Sequence, residues 1–239
     1  MIGPDTTIVI TGASQGIGRA LSIYFGAKGA RIIALARNED NLRETQRLTQ
    51  EAGGQCDVIP LDLRELSSIE SAVQKFDTDA VHILINNAAD VTSKPLLDTS
   101  PEEIDQLIQT NVTGVLQLTK LIVPLMLNQP GATIVNMSSL AGYKPNPTQT
   151  VYSITKTAVN GMSEALRSEL SSQGIQVTNV ALSSIDLGDG MNPGGVPFDV
   201  VARKIEAAVL KGHDEVYLSL VSKWLMRLYK FLPALAKAH

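Results

Sequence analysis

Short apolar runs alternate with longer mixed stretches along most of the chain. Thr7–Ile10, Arg31–Ala36, Asp57–Leu61, Val81–Ile85, Ala132–Met137, Ile175–Leu182 and Glu215–Leu220 are the short runs, and they read as strands. Between them, Gly16–Lys28, Asn38–Ala52, Leu66–Phe76, Pro101–Leu127, Tyr152–Ser172 and Asp199–Leu210 read as helices. Ser100 is placed to cap the fourth helix, with Pro101 at its first position. Pro124 lies inside that helix and is expected to kink it or end it early. Apolar strands separated by helices call for a parallel sheet covered on both faces. Right-handed crossovers then favour an α/β doubly wound fold with about seven strands.

Composition narrows the picture. The chain has 239 residues, 44% of them hydrophobic, which is enough for one sizeable core. The formal net charge of -4 gives no support for nucleic-acid binding. A single cysteine, Cys56, excludes an intramolecular disulfide and a cysteine-rich zinc site, and no metal is expected. No basic leader precedes the first strand, and no apolar run approaches the roughly 18–20 residues of a membrane span. A cytoplasmic protein is the expectation. Residues 1–222 read as one domain, with Met191–Pro197 a loop inside it, and residues 223–239 as an amphipathic tail. Trp224, Leu225, Leu228 and Leu232 recur at helical spacing, with Lys223, Arg227 and Lys230 able to lie opposite. The plain expectation is packing on the core or a neighbouring subunit; the sharper one is peripheral contact with a membrane.

The first strand ends in Thr11-Gly12-Ala13-Ser14-Gln15-Gly16-Ile17-Gly18, a glycine-rich turn that opens a helix. Glycines allow close approach of a pyrophosphate, and a helix N-terminus supplies amide donors and a positive dipole end. A tight turn with no ligand is the plainer alternative. About twenty residues on, an acidic residue would favour NAD, and an arginine would accommodate the 2′-phosphate of NADP. The second strand ends Leu35-Ala36-Arg37 with no carboxylate before Arg37, so NADP (NADPH) is expected over NAD. Alternatively Arg37 is a solvated cation that Glu39 or Asp40 neutralises.

Tyr152 and Lys156 are four residues apart, so on a helix both project from one face. An ammonium beside a phenol is expected to lower the phenol's pKa, making it a proton donor and acceptor near neutral pH. Ser139 lies thirteen residues upstream of Tyr152, directly after Ser138.

With the glycine turn at 11–18, Asn86-Asn87-Ala88-Ala89, Asn111, Ser139 and the Tyr152-x-x-x-Lys156 pair in this order, the chain resembles the short-chain dehydrogenase/reductase family. The similarity runs from Thr7 to about Leu220. It implies a single Rossmann-type domain and an NADP-preferring, carbonyl-reductase-like enzyme. Tyr152 would be general acid in reduction and base in oxidation. Lys156 would lower its pKa and hold the nicotinamide ribose. Ser139 would bond the substrate oxygen, and Asn111 would support a water linking Lys156 to solvent. Gly12, Ser14, Gln15, Gly16, Ile17 and Gly18 would hold the pyrophosphate. Asp62 and Leu63 would lie beside the adenine, and Asn87 and Ala88 against the adenosine. The backbone of Ile185 would meet the carboxamide. A small-molecule carbonyl or alcohol substrate and a homodimer or homotetramer are implied. A 3-oxoacyl thioester reductase and a non-catalytic nucleotide sensor are the alternatives. Two departures stand out: Ala89 where the family has glycine, and Leu182-Ser183 where it has Pro-Gly.

Overall fold

The computed structural model describes residues 2–188, 190, 192, 194–219 and 224. Seven of its strands form one parallel sheet. In chain order the elements are β1 (Thr7–Thr11), α1 (Gly16–Gly26), β2 (Arg31–Ala36), α2 (Glu39–Glu51), β3 (Gln55–Pro60), α3 (Leu66–Gln74) and β4 (Ile83–Asn86). There follow α4 (Pro101–Ile108), α5 (Gly114–Met126), β5 (Thr133–Ser139), α6 (Thr150–Leu170), β6 (Gln176–Leu182), β7 (Ile185–Asp186), β8 (Val196–Pro197), α7 (Phe198–Lys211) and β9 (Glu215–Tyr217). The sheet order is β3-β2-β1-β4-β5-β6-β9, and β7 and β8 form a separate two-stranded ribbon. The doubly wound seven-stranded sheet expected from the apolar runs is the one found.

Side-chain alternation explains why both faces are covered. Ile8 and Ile10 of β1 join one core, with Leu21 and Phe25 of α1 and Val201 and Ile205 of α7. Val9, between them, joins the other, with Ile69 of α3, Leu118 and Ile122 of α5 and Leu170 of α6. A strand buried on both sides has no polar face to spare, hence its continuous apolar run.

The stretch Pro101–Leu127 is not one helix. Ser100 caps α4 in a reciprocal capping box with Glu103, as Pro101 at the first turn suggests. A π-helical turn over Gln109–Thr113 then separates α4 from α5. Pro124 neither stops nor precedes the break: α5 runs on to Met126, and the donor the proline lacks falls in the last turn. The tail helix expected over Lys223–Pro233 lies outside the described residues apart from Trp224. Among the described residues no helix is long and apolar enough to cross a membrane.

Candidate active site and dinucleotide cleft

The strand order reverses between β1 and β4, and a cleft opens there at the C-terminal strand ends. Its volume is about 380 Å³. Gly12, Ser14, Gln15 and Gly16 line it, with Arg37 from the end of β2, Asp62 and Leu63 beyond β3, and Asn87, Ala88 and Ala89 beyond β4. Nine of the expected cofactor residues thus converge, while Ile17, Gly18, Tyr152, Lys156 and Ile185 do not line this cleft. Ile17 turns into the core beside α1. Gly18 is buried, and its role is close approach: a Cβ there would lie 2.3 Å from the Gly12 carbonyl oxygen. Gly12 combines φ of +66° with backbone of Ala88 only 2.9 Å from where a Cβ would stand.

The turn is held from outside. Arg19 donates to Thr45 Oγ1 at 3.0 Å and to the Ser14 carbonyl, and Thr45 Oγ1 donates to the Ala13 carbonyl at 2.8 Å. Thr11 Oγ1 accepts from the backbone N–H groups of Asn87 (3.0 Å) and Ala88 (2.9 Å), fastening β4 to the turn. These partners were not singled out from the sequence, because polar side chains that serve a fold carry no local signature.

The residues fit a dinucleotide. No side chain caps the first turn of α1 and no acidic residue stands in it, so its amides are open to an anion. Thr110 Oγ1, on the wall of the cleft, is buried with no hydrogen-bond partner. Arg37 is exposed and makes no ion pair among the described residues. Glu39, one of the two neutralisers in the alternative reading, is 2.5 Å from Arg43 instead. Ala89 is not in the left-handed region, where Asn128 is the one non-glycine among the described residues, so its Cβ brings no backbone strain.

Tyr152 and Lys156 share one face of α6, with Lys156 Nζ 5.7 Å from the Tyr152 ring centroid. Lys156 is buried, and its ammonium donates to the Met137 carbonyl at 2.8 Å. Burial lowers its pKa to about 8. The expected lowering of the Tyr152 pKa is not what the structure gives. Burial raises it, and a side-chain hydrogen bond with Ser139 pulls the other way. Desolvation of the phenolate outweighs the Ser139 bond, and the Lys156 ammonium is turned toward the Met137 carbonyl.

Two serines follow each other, and their surroundings separate them. Ser138 is buried and donates to Asn160 Oδ1 at 2.6 Å, a fixed structural bond. Ser139 faces Tyr152 and accepts from Ala141 N at 3.1 Å, leaving its proton to donate. Asn111 sits in the π turn, buried. It accepts from Asp90 N at 2.7 Å and donates to the Asp90 carbonyl at 2.9 Å and to Thr155 Oγ1 at 3.1 Å. Ile185 is buried in the ribbon, where it faces Val196.

The model of the short chain dehydrogenase family matches residues 6–192. The chain belongs to that family. An uncharacterized oxidoreductase of Staphylococcus epidermidis is 31% identical over 184 residues, covering 76% of this chain and 79% of the relative. A metagenomic short-chain oxidoreductase solved in complex with NADP is 27% identical, with TM-score 0.81, over 90% of this chain and 97% of that one. A short chain dehydrogenase/reductase from Burkholderia phymatum in complex with NAD has TM-score 0.87 at 21% identity, over 98% and 96% of the two chains, a likeness of fold. A short-chain dehydrogenase therefore accounts for both the dinucleotide cleft and the Ser139–Tyr152–Lys156 group.

Proposed function

We propose that this short-chain dehydrogenase is an NADP(H)-dependent oxidoreductase that interconverts a carbonyl and a secondary alcohol. The observation that carries the reading is the meeting of Ser139, at the end of β5, with Tyr152 and Lys156 of α6, next to β4, whose following residues Asn87, Ala88 and Ala89 line the dinucleotide cleft. When bound, the nicotinamide would supply the hydride chemistry at the substrate's carbonyl carbon in either direction. Ser139 Oγ donates a hydrogen bond to the substrate oxygen and steadies charge as it develops there. The Tyr152 hydroxyl gives that oxygen its proton, and takes it back in the reverse direction. A phenol kept protonated by burial is suited to the reductive direction, in which the acid must hold its proton until hydride arrives. The Lys156 ammonium stabilises the phenolate left behind. Its bond to Met137 fixes the Nζ on the inner side of the pair.

NADP over NAD is supported by Arg37, exposed and free of ion pairs among the described residues at the adenosine end of the cleft. We also propose self-association through α5 and α6, where Leu116 is 46% and Ile154 54% exposed.

The test is Tyr152→Phe, assayed with NADPH against diketones, aldehydes, steroids and 3-oxoacyl thioesters. Turnover is expected to fall by about 10²–10⁴-fold, the range for losing a positioned proton donor, while NADPH binds as before. Turnover at the wild-type rate would refute the mechanism, and the substrate profile of the unaltered enzyme separates simple carbonyls from thioesters.

A further inference from the structure

Asp62 and Arg64 close on each other at the adenosine end of the cleft. Arg64 Nε lies 2.9 and 3.1 Å from the two carboxylate oxygens of Asp62, and Nη2 lies 2.5 Å from Oδ2. The backbone N–H of Arg64 also donates to Oδ1 at 3.0 Å. This is a forked pair, and it fixes the carboxylate's direction as well as its charge. Arg64 is the larger influence holding the Asp62 pKa low, and Arg37 adds a smaller one through space. Asp62 and Arg37 line the same cleft. Left alone, an ionised Asp62 would repel a phosphate there and draw Arg37 toward itself.

We propose that Arg64 is a specificity residue for the cofactor's 2′-phosphate. By occupying Asp62 it removes the repulsion and leaves Arg37 free to bind the phosphate. Without Arg64, Asp62 pairs with Arg37, and the adenosine end becomes one that suits an unphosphorylated ribose. The inference rests on the NADP reading above and adds to it a residue two positions past Asp62, well away from Arg37 in sequence.

The experiment is a set of dissociation constants for NADPH and NADH, and for 2′,5′-ADP and 5′-AMP, which differ only by the 2′-phosphate. They are measured by fluorescence or calorimetry on wild type, Arg37→Ala, Arg64→Gln, Arg64→Lys and Arg64→Gln/Asp62→Asn. Wild type is expected to favour both phosphorylated ligands. Arg64→Gln should cut that preference about three- to tenfold, the effect of one partly exposed charge, almost wholly through weaker binding of the phosphorylated partner. Arg64→Lys keeps the charge and should lie between. Adding Asp62→Asn to Arg64→Gln should restore the preference, which a merely structural role for Arg64 would not do. A wild type that discriminates, with Arg64→Gln and Arg64→Lys that discriminate equally well, overturns the inference and leaves the NADP reading standing. A wild type with no preference overturns the NADP reading and the inference with it.

Discussion

Replacing Lys156 with methionine separates what the buried ammonium costs the fold from what it gives the site. Lys156 is buried and its pKa is lowered from 10.5 to about 8 by desolvation. A lysine with a lowered folded pKa is less protonated in the folded than in the unfolded chain between those two values. Stability therefore rises with pH through the window from about 8 to 10.5, and the penalty is fully present below it. A shift of that size corresponds to about 3 kcal/mol at neutral pH. Methionine fills similar volume without the charge, but leaves the Met137 carbonyl without its ammonium partner, a loss of about 1.5–3 kcal/mol for a charged bond. At pH 7 the two terms nearly cancel, so the pH dependence is the informative quantity. Integrating the linkage from pH 7 to 9.5, wild type should gain about 2 kcal/mol relative to Lys156→Met. Urea unfolding at the two pH values, at one fixed protein concentration, measures it, and groups common to both proteins drop out of the difference. A difference between the proteins that does not change with pH would refute the assignment of a buried, depressed ammonium. Turnover of the methionine variant should be lost at both pH values.

Two further substitutions test the scaffold. Gly18→Ala puts a Cβ 2.3 Å from the Gly12 carbonyl oxygen and 2.7 Å from Asn87 Nδ2, so α1 must move off the turn. NADPH affinity should fall at least tenfold and thermal stability by about 1–3 kcal/mol, the usual cost of overpacking, as read by calorimetry; wild-type values for both would refute the close packing. Asn111→Asp replaces the amide donors that meet the Asp90 carbonyl and Thr155 Oγ1 with oxygens. Urea unfolding should show a loss of about 1–3 kcal/mol, and turnover should fall with it; an unchanged unfolding midpoint would refute the bonding described.

The sheet was legible because buried parallel strands leave a one-dimensional mark: continuous apolar runs, bounded by turns. The boundaries slipped where pairing rather than composition decides them, as at β3, which starts at Gln55 because its register with Arg31 begins there. The break between α4 and α5 was not legible. Nothing in Gln109-Thr110-Asn111-Val112-Thr113 forbids an α-helix, and the π turn follows from Asn111 bonding Asp90, a contact set by the tertiary fold. The glycine turn and the Tyr152–Lys156 pair could be marked from spacing, while Asn87 and the choice of Ser139 over Ser138 came through the family resemblance. The direction of the Tyr152 shift could not, because a helical wheel gives proximity to Lys156 but not depth of burial. Arg64 was invisible for a related reason. A charged residue in a polar turn reads as a surface cation until its partner is seen.

The π turn ties the site together. Asn111 lies between α4 and α5 and spends both amide protons, one on the backbone beyond β4 and one on α6. Thr155, which takes the second, passes its own proton to the Tyr152 carbonyl at 2.8 Å. The chain of bonds therefore runs from the strand end beside the dinucleotide cleft, through the π turn, to the backbone of Tyr152. With its amide protons committed, Asn111 has no side-chain donor left to offer a water. A π turn is suited to this arrangement because the Gly114 N–H reaches back to the Gln109 carbonyl, one residue further than in an α-helix. The extra residue lets Asn111 point inward without tilting α5 away from the sheet. The local helix geometry thus links the chain beyond β4 to the backbone of Tyr152 on α6.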